Sequence, residues 1–159
     1  MSDICYVVDV PGYPPSHSPY SHAVVANGFV FVAGQAAVRP GGGALEVVGT
    51  TIQEQTRQAM RNVETVLKTA GSGLDKLVKV TILIARPQDF AGMNEAYAEF
   101  FPGNKPARAV ARLNPPASTM QAKARICSKR SIAIVNQLEP IYPSREGLSI
   151  PVTQVSVVQ

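Results

Sequence analysis

A chain of 159 residues with 45% apolar and 16% charged side chains can bury one core and is too apolar for a disordered polymer. The formal charge of +4 is modest, and no apolar run reaches the roughly 18 residues that a membrane span requires. Two cysteines, Cys5 and Cys127, make neither a disulfide framework nor a zinc site, and both read as small apolar fillers. The start, MSDICYVVDV, has no basic end followed by a long apolar block. These features predict a soluble cytoplasmic protein.

Residues 4–9 alternate loosely as a first strand, and four prolines (Pro11, Pro14, Pro15, Pro19) then exclude regular structure. A hairpin follows: an AVVA run, Asn27-Gly28, and an FVFVA run, with two turn residues suited to positive φ. Gly41 to Gly43 forms a flexible loop. Residues 51–70 predict a helix whose stripe of Ile52, Thr56, Ala59, Met60, Val63, Val66, Leu67 and Ala70 recurs at three- and four-residue steps. Thr51 and Glu54 supply a capping box, and Gly71 a left-handed stop.

A strand over 77–85 places Val78, Val80, Ile82 and Ile84 on one face. A second helix over 89–101 turns Phe90, Met93, Tyr97 and Phe101 inward. The strand over 107–112 then separates Ala107, Ala109 and Ala111 from Arg108, Val110 and Arg112. Further strands are expected at 120–126 and 131–135. The order predicts an α+β domain over residues 1–135, with two helices on one face of a mixed sheet. Residues 136–159 read as an appendage.

Charge is uneven. Lys105, Arg108, Arg112, Lys123, Arg125, Lys129 and Arg130 follow one another without an intervening acid. Most suit a solvated sheet face, but Arg108 follows a Pro-Ala turn that can hold it at a fixed point. A guanidinium offers a carboxylate two parallel charge-assisted hydrogen bonds. Nucleic acid is disfavoured, because the segment carries no aromatic ring on which a base can stack.

Five runs occur in order: Pro19-Tyr20-Ser21-His22-Ala23-Val24, Phe31-Val32-Ala33-Gly34-Gln35, Gln55-Thr56-Arg57-Gln58, Asn94 through Phe101, and Lys105-Pro106-Ala107-Arg108 with Val110-Ala111-Arg112-Leu113. Together they resemble the reactive-intermediate deaminase (Rid) family, the YjgF-like or L-PSP proteins. The resemblance implies a chorismate-mutase-like fold, a homotrimer with clefts between subunits, and no cofactor. It implies a small anionic substrate, a 2-imino or 2-enamino acid. Its carboxylate would meet Arg108 while water attacks the imine carbon.

By the same resemblance Tyr20 is the pocket tyrosine, and Asn94, Gly34 and Gln35 build the pocket wall. Two departures stand out. Only Ala109 separates the Pro-Ala-Arg turn from the Val-Ala-Arg-Leu run, a shorter segment than relatives carry, and Arg112, on the same strand face, either compensates or is merely structural. The position of the family's catalytic glutamate falls on Lys123, an ammonium that serves as a base only if burial or neighbouring cations lower its pKa. A solvated lysine on a strand's polar face is the other reading. His17, in the proline-rich loop near Tyr20, is a candidate for lining the cleft, whereas His22 reads as structural. Three functions stay open: imine hydrolysis or a changed reaction such as isomerisation or cyclisation, cleavage of single-stranded RNA, and ligand binding without turnover.

Overall fold

The computed structural model describes residues 4–13, 19–41 and 47–112, and the backbone of residues 132–138. His17, Lys123, Cys127, the strand expected at 120–126 and the tail from 139 onward lie outside the described residues. Six strands form one sheet in the order β1-β2-β3-β6-β4-β5. They are β1 (Cys5–Val7), β2 (Ala23–Ala26), β3 (Phe29–Ala36), β4 (Leu77–Ile84), β5 (Ala107–Arg112) and β6 (Ile132–Leu138). Helices α1 (Ile52–Thr69) and α2 (Phe90–Ala98) join them. β4 and β5 are parallel and every other pairing is antiparallel.

The β2–β3 hairpin turns at Asn27 (φ 51°) and Gly28 (φ 79°), as the Asn-Gly pair predicts. Helix α1 opens on the expected box: Thr51 accepts from the Glu54 amide, and the Glu54 carboxylate accepts from the amides of Thr50 and Thr51. Four orphan amides begin every helix, and this exchange satisfies two of them. Gly71, at φ 78°, ends the helix with its amide on the Lys68 carbonyl.

Met60, Leu67, Ile82 and Met93 are fully buried where the helices meet the sheet. Each contributes about 1.5–3 kcal/mol relative to exposure. Val30 and Val32 of β3 and Val80, Ile82 and Ile84 of β4 belong to that core. Phe29, Phe31 and Thr81, on the alternate positions of the same strands, are only half-buried, and no helix among the described residues covers that face of the sheet.

Four expectations need correction. Helix α2 is shorter than 89–101: it opens from a 3₁₀ turn at Pro87–Asp89 and ends at Ala98. Phe90 is 44% exposed rather than inward, because the first turn of α2 overhangs an open pocket that it lines with Pro87, Ile84 and Val110. Cys5 is an exposed free thiol on β1, the edge strand, which pairs on one side only, with β2. The strand β6 runs three residues past the boundary expected at 135.

Candidate active site

Register decides where Arg108 stands. Val80 is paired with Arg108 on one side and with Asn136 on the other, and Asn136 is paired with Val32. Paired residues share a sheet face, so Arg108 belongs to the helix-covered side with Val80. Ala107, Ala109 and Ala111 then fall beside Lys79, Thr81 and Leu83 on the open side. The Arg108 guanidinium carbon lies 4.8 Å from the centroid of the Tyr97 ring, on α2. That separation is within cation–π range.

Acids near this corner are engaged elsewhere. Arg57 clamps Glu99 through Nε (2.8 Å) and Nη2 (2.6 Å), and that pairing holds the Glu99 carboxyl below its ordinary pKa. Asp89 receives the fork of Arg86 at 2.9 and 2.7 Å. Glu95 accepts from Gln53 at 3.1 Å. Arg108 itself has no hydrogen bond or ion pair among the described residues. Among the described residues its charge is therefore uncompensated, apart from the ring beneath it.

Asn94 lies one turn before Tyr97 on α2, a spacing that puts two side chains on one helix face. Its Oδ1 and the Tyr97 Oη are both buried without a hydrogen-bond partner among the described residues. An orphaned buried acceptor is costly, and a ligand or partner subunit that donates to it recovers the loss. Burial pushes the Tyr97 hydroxyl up to about 12 against the opposing pull of Arg108, so it stays a neutral phenol at physiological pH.

A second cluster surrounds Tyr20. His22, 4% exposed, meets the Tyr13 ring edge-on at 5.2 Å and the Tyr20 ring at 5.6 Å. Tyr13 donates its hydroxyl to Gln35 at 3.3 Å, and Gln35 Nε2 donates to the Ala33 carbonyl. A bulge between Val32 and Gln35 turns Gln35 to the buried side of β3. The His22 backbone is pinned too, donating to Val7 and accepting from Ala33. Tyr20 is half exposed. Gly34 is exposed at the bulge, and a Cβ built there meets nothing within 4 Å.

Within one chain the two clusters do not meet. β4 and β6 separate β5 from β3, three interstrand steps or about 14 Å. Sequence reasoning missed Tyr97, assigning it wholly to the core. Its spacing of three from Asn94, in the same run that carries the resemblance, was the available signal. Arg112 does not join Arg108; it lines the pocket under Phe90 at the far end of β5.

The Endoribonuclease L-PSP family model matches residues 12–122, more than half of the chain. The chain belongs to the L-PSP (YjgF/Rid) family. Its sheet order and helix placement are the family's chorismate-mutase-like α+β fold. The match stops one residue short of Lys123. A RutC family protein of Pyrococcus horikoshii is 42% identical over 102 residues, 64% of this chain and 79% of that protein. The human 2-iminobutanoate/2-iminopropanoate deaminase is 36% identical over 103 residues, 65% and 74% of the two chains. The crystal structure of yeast Mmf1 superposes with a TM-score of 0.70 at 29% identity, covering 87% of this chain and 99% of the other. Two further relatives, both of Schizosaccharomyces pombe, are mitochondrial proteins by name. No helix among the described residues is long and apolar enough to cross a membrane.

Proposed function

We propose that this chain hydrolyses a small 2-imino or 2-enamino acid to the 2-oxo acid and ammonia, with Arg108 binding the carboxylate. The observation that carries this reading is the guanidinium of Arg108 on the Tyr97 ring, without an acidic partner among the described residues and one turn from the orphaned Oδ1 of Asn94. Arg108 holds the carboxylate in the guanidinium plane, and Asn94 accepts from the imine or enamine N–H. An enamine first passes one N–H proton to its β-carbon and becomes the imine; water then adds to the imine carbon, the C–N bond breaks, and nitrogen leaves as ammonia with two protons from water and the one still bound. The imine is reactive in itself, so positioning and one proton transfer supply most of the gain. Relatives named as imine deaminases support the reaction class.

Tyr20, with Gln35 and Gly34 behind it, completes the cleft from a second copy, since one chain holds the two clusters apart. The open sheet face supports such assembly, with three alanines on β5 leaving room for close approach. A homotrimer is the expected form. Lys123 and His17 are the proposed proton-handling and cleft-lining groups. The described strand β6, IAIVNQL, has no carboxylate to take the family glutamate's part.

Hydrolysis of 2-aminoacrylate and its imine tests the reading, with the native protein beside Arg108→Ala and Lys123→Glu. Arg108→Ala is expected to lower kcat/KM by about 100-fold or more, the loss of two charge-assisted hydrogen bonds. Unchanged turnover in Arg108→Ala overturns the proposal. An inert native protein that gains activity as Lys123→Glu marks a site whose ancestral chemistry has been replaced. RNA cleavage is a second reading, favoured by the acid-free basic run from Lys105 to Arg130.

A further inference from the structure

We propose that Tyr97 is the platform that fixes the guanidinium plane of Arg108, and is thereby a positioning residue for carboxylate recognition. This rests on the reading that Arg108 binds the substrate carboxylate. The Arg108 guanidinium carbon sits 4.8 Å from the ring centroid, while Arg108 as a whole is exposed. An exposed arginine normally samples many rotamers, and ordering it on binding is costly. The ring removes part of that cost before the ligand arrives.

The platform is itself rigid. Tyr97 is 6% exposed, and its ring packs against Phe101 with centroids 4.8 Å apart and planes tilted by 41°. It is a core side chain with its neighbours fixed and one face offered to a cation. A guanidinium lying on that face keeps its N–H groups in the plane of its edges. Those edges are where a carboxylate makes two parallel hydrogen bonds. A face-on ring therefore orders the arginine without competing for its donors, which an acidic partner could not do.

The hydroxyl plays no visible part. Tyr97 Oη is buried and has no hydrogen-bond partner among the described residues. The ring matters for the arginine, and the oxygen does not. A phenolate there would pair with Arg108 and block it, but burial keeps the group protonated with a pKa of about 12. These observations separate the platform from an ordinary core tyrosine, which would be held through its hydroxyl or would touch no cation.

The test compares Tyr97→Phe, Tyr97→Leu and Tyr97→Met, with Arg108→Ala as the reference, on the imine formed from 2-aminoacrylate. Tyr97→Phe keeps the ring and is expected to hold KM and kcat within about twofold of native. Tyr97→Leu and Tyr97→Met lose the ring and are expected to raise KM by about 3- to 30-fold with kcat little changed. The Arg108 Nε–H proton resonance should be shifted upfield by the ring in the native protein and Tyr97→Phe, and not in Tyr97→Met. This readout needs no activity and no intact Tyr97→Leu. Native KM in Tyr97→Met, or an Arg108 resonance indifferent to the ring, overturns the platform while leaving the Arg108 reading intact. Native KM in Arg108→Ala overturns both.

Discussion

The imidazole of His22 stands edge-on to the ring of Tyr13, their centroids 5.2 Å apart and their planes at 69°. On its other side Tyr20 packs at 78°. The histidine is the wedge that connects a buried glutamine, Gln35, to a half-exposed tyrosine at the mouth of the candidate cleft.

Burial lowers the pKa of His22 from its ordinary value of 6.5, and the Asp9 carboxylate only partly opposes this. The unfolded chain therefore binds a proton that the folded chain resists. Stability is full above about pH 6.5 and declines as pH falls through the folded value. The groups facing the imidazole are Asp9, Tyr13 and Tyr20, and burial pushes the Tyr13 hydroxyl up to about 12, far from this window. The thermal midpoint should fall between pH 7.5 and 5.5 in the native protein, and by much less in His22→Gln. Equal falls in the two proteins would show that His22 is not the group responsible.

Asn62 ties the middle of α1 to the segment after β3. Its Nδ2 donates to the carbonyls of Ala36 (2.9 Å) and Val38 (2.8 Å), and its Oδ1 accepts from Gln58. Asn62→Ala abandons both carbonyls in a 2% exposed site. The expected cost is about 2 kcal/mol, read as a midpoint lowered by about 4–8 °C. A shift below one degree in calorimetry would mean that water replaces the amide at no cost.

The uncovered sheet face carries the predicted subunit contact. Ala109 on β5 and Phe31 on β3 lie on that face, away from the helices. Ala109→Glu and Phe31→Glu each place a charge where a second copy would pack. Light scattering is expected to show the native protein as a trimer and either variant as a single chain with native circular dichroism. Native mass in both variants would move the contact to another surface.

Salt separates the two readings of the basic run. Phosphate contacts release counterions, so RNA affinity falls steeply between 50 and 200 mM salt, about 10³-fold or more for six contacts. A single carboxylate on Arg108 weakens only modestly over the same range, through screening. Titrations with pyruvate and with a single-stranded oligoribonucleotide at both salt levels give the two slopes. Oligonucleotide binding that is tight at 50 mM salt and falls with the steep slope, with no pyruvate binding, would favour the nucleic-acid reading.

Local chemistry was legible in the sequence wherever neighbours along the chain make the decision. Asn27-Gly28 selects a hairpin because both positions accept positive φ, and α1 begins at Thr51 because Glu54 answers it three residues later. The alternation that isolates three alanines on β5 also held, since side-chain direction along a strand follows from covalent geometry. The ordered runs from Pro19 to Leu113 were enough to indicate the family.

Partners distant along the chain were decided only by the tertiary structure. Tyr97 shows one helical period whether it serves the core or a cation, and only the placement of β5 beside β4 puts Arg108 upon it. Gln35 turns inward through a bulge that depends on pairing with a strand about a hundred residues later. The wedge at His22 likewise requires Tyr13 and Tyr20 to fold back over β2. Sequence periodicity records which face a side chain takes; what waits opposite that face depends on strand order, and strand order is settled by packing the whole core.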